Sequence, residues 1–254
     1  MRKLKLLFMP CLFCLISIGA RAIDPVQNIT LSEAGDLKYY ISDADAPNVQ
    51  KLTISGPLNG DDMKIIRTMC TTGSLVILNM SNATMVSGGA SLGTYTYYYD
   101  NGSEQRERRM YNNVIADALF EDCVKLESMT LPNSITRIGY QAFVGCSKLA
   151  SVNIGNGCAN IDDEAFYNCS SLKSITIPSN VERIGSLAFY YSGLTSVTLS
   201  EGVESIGESV FLNNANLTEI WIPQSVTSIG SLNAIPKTAK KIAVLDRTKE
   251  PGSL

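Results

Sequence analysis

A repeat of 22 or 23 residues fills the second half of the chain and constrains its fold more than any other feature. Five copies begin at Leu126, Leu149, Leu172, Leu194 and Leu217. They share the pattern L-x-x-I-x-I-P-x-x-V-x-x-I-G-x-x-A-F-x-x-C-x-x. Self-similarity at a fixed period of this length is typical of solenoids, in which each copy forms one coil.

The pattern itself predicts how each coil is built. The opening L-x-x-I-x-I alternates with period two, as a short half-buried strand does. A Pro or Gly ends the strand, and the later apolar positions return to the same interior. The Gly after the third Ile suits a tight turn or a close backbone approach, and it occurs at Gly139, Gly185, Gly207 and Gly230.

No copy can bury its apolar side alone, whereas stacked copies can. We therefore predict an α/β-type leucine-rich-repeat solenoid. A parallel β-sheet forms its concave face, and turns with short 3-10 or extended segments form its convex face. One short helix is expected near the N-terminus.

The phenylalanines support this arrangement. Five of the seven lie beyond residue 22, at intervals of 23, 23, 23 and 22 residues: Phe120, Phe143, Phe166, Phe189 and Phe211. In a solenoid this spacing stacks them into one interior column. Burial of each ring is worth roughly 1.5–3 kcal/mol, so the column should dominate the stability of the array.

Earlier coils are less regular. The strand pattern recurs at Val49–Ile54 and Leu75–Met80, and Asp61 or Asp62 is a candidate N-cap for a short helix through about Met69. An insertion then delays the next strand. We expect an N-terminal cap over 23–74, a solenoid over 75–245 with an insertion at about 85–113, a final strand at 241–245 and a polar tail over 246–254.

The repeated I-G-x-x-A-F-x-x-C signature resembles the BspA-like leucine-rich repeats of secreted and surface proteins of anaerobic bacteria. The LTISGPLNGDDMKIIRTM segment and the Tyr-rich insertion before Asn113-Val114-Ile115 are also similar to that family. The last copy departs from the pattern, because Asn233 and Ala234 replace Ala-Phe. The resemblance implies a right-handed solenoid and a role in adhesion to host proteins or to other bacteria.

The first 22 residues are typical of an export signal. A positive start, an apolar run and an A-x-A-like cleavage site follow one another: Arg2, Lys3 and Lys5, then 6–18, then Ala20-Arg21-Ala22. The apolar run is too short for a spanning helix, which needs roughly 20 residues. Lipidation at Cys14 is disfavoured by the bulky Phe13 before it. We expect a secreted or cell-surface protein without a transmembrane segment.

Several kinds of chemistry are disfavoured. The chain has no His, which removes Ser-His-Asp and Cys-His catalysis and His-containing zinc sites. A formal net charge of −3 argues against nucleic-acid partners. The tightest acidic cluster, Asp162-Asp163-Glu164, is interpreted as a solvated turn, with a cation site as the alternative. We expect a protein that is not an enzyme and has no catalytic residues, cofactor or metal.

Five cysteines lie beyond residue 22: Cys70, Cys123, Cys146, Cys158 and Cys169. Three of them share one repeat position, which Ser192 and Asn214 occupy in later copies. Adjacent members would lie within the Cα range of a disulfide. Their parallel side chains nevertheless favour buried free thiols that make weak hydrogen bonds to turn backbone.

The outward positions of the repeat strands form one candidate binding surface. They give a small, polar, nearly uncharged ladder that includes Ser128, Thr130, Asn153, Thr176 and Thr198. Trp221, the only Trp, is expected to be exposed on the same face. There it would stack on a sugar or anchor a peptide; packing against the end of the solenoid is the alternative.

The insertion is the other candidate. It combines tyrosines with a basic patch: Tyr95, Tyr97, Tyr98, Tyr99, Arg106, Arg108 and Arg109. Tyr and Arg are enriched at interface hot spots. The alternative is a hairpin that covers the N-terminal coils, with its tyrosines packed on the convex side.

Three functional hypotheses remain open. The first is a non-catalytic scaffold that binds an extracellular protein, either of a host matrix or of another bacterial surface. The second is a glycan-binding module that uses Trp221 and the tyrosines of the insertion. The third is a structural spacer in a larger surface assembly.

Overall fold

The repeats stack into a solenoid of parallel strands. The computed structural model describes residues 23–230 and 241–244, and the expected signal peptide (1–22) and tail (246–254) lie outside the described residues. In chain order the elements are β1 (Val26–Thr30), β2 (Lys51–Leu58), α1 (Gly60–Thr71), β3 (Ile77–Asn79), β4 (Ala83–Met85), β5 (Thr94–Tyr99), β6 (Gly102–Glu107), β7 (Val114–Ile115), β8 (Ser128–Thr130), β9 (Arg137–Ile138), β10 (Ser151–Asn153), β11 (Asn160–Ile161), β12 (Ser174–Ile177), β13 (Arg183–Ile184), β14 (Ser196–Leu199), β15 (Ser205–Ile206), β16 (Glu219–Ile222), β17 (Ser228–Ile229) and β18 (Lys241–Val244). Two 3-10 helices, Leu37–Tyr39 and Ala46–Asn48, precede β2.

The first sheet is the one that the sequence predicts on the concave face. Its strands follow one another along the solenoid and pair in three parallel groups, which are β1-β2-β3-β8-β10, β12-β14 and β16-β18. β3 pairs directly with β8, so that Leu78 lies beside Met129 although the insertion separates them in sequence. The insertion therefore leaves the ladder of strands unbroken.

A second sheet runs along the return path of each coil. It consists of six two-residue strands in the order β17-β15-β13-β11-β9-β7. The sequence predicts turns and short extended segments here, and the structure shows that these segments pair into a continuous parallel ladder. The glycines after this ladder allow close approach, since a Cβ on Gly185 would lie 2.4 Å from the Asp163 nitrogen.

The phenylalanine column forms as the spacing predicts. All five rings are fully buried. Consecutive ring centroids lie 5.1, 4.9, 5.2 and 5.8 Å apart, and the rings are stacked within 10° of parallel. Each coil thus places one ring directly on the ring of its neighbour.

The cysteines are buried free thiols, as predicted. At the shared repeat position the side chain donates to the Phe carbonyl of the preceding coil. The four hydrogen bonds run from Cys146 Sγ to Phe120 O (3.0 Å), from Cys169 Sγ to Phe143 O (3.2 Å), from Ser192 Oγ to Phe166 O (2.6 Å) and from Asn214 Nδ2 to Phe189 O (2.7 Å). The position therefore requires a small hydrogen-bond donor, which explains why Cys, Ser and Asn all occur there.

Helix α1 has a different N-cap from the one that the sequence suggests. Asn59 caps it by accepting from the backbone nitrogens of Asp61 and Asp62, and the Asp62 carboxylate accepts in return from the Asn59 nitrogen at 3.0 Å. Asp62 also accepts from the backbone of Gly35 and Leu37. The helix begins one residue before Asp61, so Asp61 and Asp62 lie inside its first turn, and the Asp62 carboxylate completes the capping box while it also binds the first coil. None of the described helices is long and apolar enough to cross a membrane.

We expect Phe166→Ala to lower the free energy of unfolding by about 3–5 kcal/mol, because it leaves a cavity in the middle of the column. Urea denaturation followed by far-UV circular dichroism measures the loss. The exposed Tyr191, from the next coil, provides a control as Tyr191→Ala and should cost far less. An equal loss in the two variants would contradict a dominant column.

The donor position gives a second prediction. Cys146→Ser should be about 0.5–1.5 kcal/mol more stable than Cys146→Ala, because only the Ser variant still donates to the Phe120 carbonyl. The two replacements are similar in size, so urea midpoints can be compared directly. Ser192→Cys is the reciprocal control and should be tolerated. A Ser variant that is less stable than the Ala variant would refute this role.

Candidate functional site

The insertion forms an antiparallel hairpin of β5 and β6. Its register pairs Tyr95 with Arg106 and Tyr97 with Glu104. The alternation of side chains along β5 divides the tyrosines between a face that packs on the solenoid and a face that points away. The hairpin is therefore a surface element of its own, joined to the coils by side chains.

Two tyrosines attach the hairpin to the coils. The buried Tyr95 donates its hydroxyl to the Asp117 carboxylate at 2.8 Å, and the Tyr97 ring lies 4.7 Å from the Tyr140 ring. Burial raises the pKa of Tyr140 to about 12, and burial with the Asp117 hydrogen bond raises the pKa of Tyr95. Both hydroxyls therefore stay protonated at neutral pH.

Arg108 holds the base of the hairpin. Its side chain is only 7% exposed; Nε donates to the Ala118 carbonyl at 3.0 Å, and Nη1 donates to the Thr94 carbonyl at 2.5 Å. It also forms an ion pair with Glu121. Burial lowers the pKa of Arg108 to about 10, so the guanidinium is charged at neutral pH.

These contacts change the expected roles of the insertion. Tyr95 and Arg108 are buried and attach the hairpin to the coils. The expected basic patch is also neutralised locally, because Arg106 pairs with Glu104 and Arg109 pairs with Glu107.

The other two tyrosines of β5 are exposed. Tyr98 is 59% exposed and Tyr99 is 53% exposed. Tyr97, by contrast, is covered on its far side, since the Arg106 guanidinium lies 3.6 Å from its ring centroid. The hairpin, which is attached by Tyr95, Tyr97 and Arg108, thus exposes Tyr98 and Tyr99 near its turn, and as neighbours in β5 they point to opposite faces of the hairpin.

A charged groove of about 200 Å³ separates the hairpin from the second sheet. Arg137 lies at its centre and forms ion pairs with Asp117 and Asp162, while Asp163 pairs with Arg183. Asp163 and Glu164 lie in a turn, as predicted, and all three acids are partly buried; Asp162 and Asp163 also form ion pairs with arginines of neighbouring coils. Within the described residues, no group of three or more His, Cys, Asp or Glu side chains is placed to hold a metal ion.

Sequence reasoning missed this groove. Its arginines recur at the same repeat position two copies apart, at Arg137 and Arg183, and each precedes a buried Ile of the second sheet. That recurrence was the available signal. It does not show which acids lie opposite, because Asp117 and Asp162 belong to the coils on either side of Arg137.

The outward positions of the first sheet form a separate surface. Ser128, Thr130, Asn153, Thr176 and Thr198 lie on its strands as predicted, at partly or fully exposed positions. Trp221 lies on β16 and is 42% exposed. The hairpin contacts given above go to residues that follow the second sheet, so the structure does not bring the two candidate surfaces together.

In the described chain the first sheet is interrupted twice, between β10 and β12 and between β14 and β16. β10 pairs with β8 and β12 pairs with β14, whereas no strand pairing joins β10 to β12 in the described chain. A groove of about 360 Å³ lies at this opening, with Asn153 and Thr176 among the residues that line it.

Comparison with known proteins agrees with this architecture. The family model for the BspA type leucine-rich repeat region matches residues 113–234 in six copies. No curated protein matches the chain. A solved leucine-rich cell-surface protein from Faecalibacterium prausnitzii is 27% identical over 77% of this chain and 43% of its own, with a TM-score of 0.52.

Two further solved leucine-rich-repeat proteins are similar over parts of the chain. One, from Eubacterium ventriosum, is 16% identical over 76% of this chain and 44% of its own, with a TM-score of 0.43. The other, from Bacteroides capillosus, is 30% identical over 41% of this chain and 72% of its own, with a TM-score of 0.33. The chain spans less than half the length of the Faecalibacterium and Eubacterium proteins.

The stacked Phe rings, the paired strands and the six matched repeats lead to one assignment. The chain belongs to the BspA-type leucine-rich-repeat family.

Proposed function

We propose that this protein is a non-catalytic scaffold that is exported and binds an extracellular protein, of a host matrix or of another bacterial surface, through its hairpin. The observation that carries the proposal is the exposure of Tyr98 and Tyr99 on a hairpin attached by buried contacts.

The attachment matters because binding costs conformational entropy. A free loop must be ordered when it binds, and that cost reduces affinity. Here Tyr95, Arg108 and the Tyr97–Tyr140 contact order the hairpin beforehand. Tyr98 and Tyr99 are therefore presented without the ordering cost of a loop of similar length.

The chemistry of the exposed face favours a protein partner. Tyrosine is enriched in protein interfaces because its ring gives a large contact area and its hydroxyl a hydrogen bond. The neighbouring Arg106 and Arg109 are each paired with a Glu. The exposed end of the hairpin is thus aromatic and nearly neutral, which suits a polar protein surface better than a strongly acidic one.

The comparisons support a surface location. The similar protein from Faecalibacterium prausnitzii is described as a leucine-rich cell-surface protein. Export through residues 1–22 and adhesion as the outcome of binding belong to this proposal.

Glycan binding by the hairpin is less favoured. Stacking on a sugar needs an uncovered aromatic face. Tyr95 is buried, and Tyr97 packs between Arg106 and Tyr140. The exposed Tyr98 and Tyr99 are neighbours in β5 and point to opposite faces, so they do not form one stacking surface for a sugar. The proposed partner of the hairpin is therefore a protein.

We expect the double variant Tyr98→Ser/Tyr99→Ser to bind its protein partner at least about tenfold more weakly, as loss of interface hot spots does. Residues 23–254 would be tested by biolayer interferometry against purified extracellular-matrix and bacterial surface proteins, with serum albumin as background.

The matched control is Tyr39→Ser/Tyr40→Ser, which removes two exposed tyrosines from the N-terminal coil. It should leave binding unchanged. Arg108→Met provides a second arm, because it loosens the hairpin and should weaken binding while the solenoid stays folded by circular dichroism. Binding that survives the Tyr98/Tyr99 change, or a parent chain that binds nothing above albumin, would refute the proposal.

A further inference from the structure

The opening between β10 and β12, the first of the two interruptions of this sheet, leaves backbone groups without partners. Ser151 N donates to Glu127 O, and Asn153 O accepts from Leu131 N, so these two residues face β8. Backbone groups of successive residues in a strand point to opposite sides. The N–H and C=O of Val152 therefore point to β12, where no backbone hydrogen bond meets them within the described chain.

Strand β12, on the other side of the opening, also has backbone groups without hydrogen-bond partners. Lys173 O accepts from Thr195 N and Ser196 N, and Ile177 O accepts from Ser200 N, so the alternate residues of β12 face β14. The backbone groups of Ser174 and Thr176 consequently face the opening. Donors and acceptors thus line both of its sides, and such groups are ordinarily paired.

Glycines explain why the sheet opens at this point. A Cβ on Gly155 would lie 2.1 Å from Pro132 O, and a Cβ on Gly157 would lie 2.4 Å from Asn133 O. The turn after β10 therefore sits tightly against the preceding coil, and Gly157 N donates to Asn133 O at 3.1 Å. The coil is drawn toward one neighbour and away from the other.

The opening is confined to the first sheet. On the return path β11 and β13 remain paired, and the Phe166 and Phe189 rings lie 5.2 Å apart. On the return path and in the interior the two coils thus keep the spacing of neighbouring strands, which is about 4.8 Å. An extended peptide cannot insert between β10 and β12, because it would need twice that spacing.

The side chains of the groove are uncharged. The polar ones are Ser151, Asn153, Asn156, Ser174 and Thr176, and Val152, Ile154 and Pro178 add an apolar contribution. Among the described residues no hydrogen bond engages the side chains of Asn153, Ser174 or Thr176. The volume of about 360 Å³ lies within the range of small-molecule sites, roughly 300–1,000 Å³.

We infer that this groove binds a neutral oligosaccharide. Sugar hydroxyls donate and accept at once, which matches the mixture of backbone N–H, backbone C=O, hydroxyl and amide groups here. A charged ligand would lose hydration without gaining a counter-charge. Val152 and Pro178 provide apolar contacts for the C–H face of a sugar ring. The site is separate from the hairpin, so either proposal can fail alone.

The test titrates residues 23–254 with glucose, galactose, mannose and N-acetylglucosamine oligosaccharides of two to four units, by calorimetry and saturation-transfer NMR. Sialyllactose and a heparin tetrasaccharide are the charged comparisons. At least one neutral oligosaccharide should bind, and the charged ones should not. Asn153→Ala and Thr176→Val should each weaken binding about fivefold, as expected for one lost hydrogen bond.

The matched control is Thr198→Val. Thr198 lies beside Thr176 in the intact β12–β14 pairing, so its replacement should not change sugar binding. The Tyr98→Ser/Tyr99→Ser variant should also bind the sugar normally. The inference is overturned if no neutral oligosaccharide binds, if only the charged ones bind, or if Thr198→Val weakens binding as much as Thr176→Val.

Hydrogen exchange tests the opening without any ligand. The amides of Val152 and Thr176 should exchange faster than those of Met129 and Thr130, which occupy the same repeat positions in the paired strand β8. Addition of the bound oligosaccharide should slow the first pair only. Equal protection of the two pairs in the free protein would show a closed ladder and would also overturn the inference.

Discussion

The spacing between coils is the constraint on which the rest of this structure depends. Backbone pairing fixes neighbouring strands about 4.8 Å apart, and the Phe rings stack at 4.9–5.8 Å in the interior. Backbone and core therefore require nearly the same repeat distance. Because each coil meets only its neighbours, a side chain that suits this distance in one coil suits it in the next.

This constraint separates what the sequence predicts from what it does not. The strands, the Phe column and the free thiols follow from periodicity, because each is one position repeated at one spacing. The left-handed backbone conformation of the residue before each Ala-Phe pair, or before its equivalent, does not follow from periodicity. Gln141, Glu164 and Leu187 all have φ near +55°, yet no residue type marks the position. The reason is a bond between coils: each of their backbone nitrogens donates to a carbonyl of the following coil.

The sequence predicts which segments form the candidate surfaces, but it does not predict which of their side chains are exposed. The insertion was recognisable by its tyrosines, but its attachment depends on Arg108 meeting the Ala118 carbonyl and Glu121, which are distant partners. Sequence gives residue types in the insertion and not the direction in which each points. It therefore could not separate Tyr95, which is buried, from Tyr98, which is exposed.

Both proposed sites arise where the chain departs from strict repetition. The insertion projects from the coils without disturbing the ladder, because β3 pairs directly with β8. The groove arises because Gly155 and Gly157 draw one coil toward its neighbour while the Phe column holds the return path closed. A regular array satisfies its own backbone and offers a uniform face. Recognition of a particular partner requires a surface that is not uniform. We therefore expect the non-repeating residues of this chain to determine what it binds.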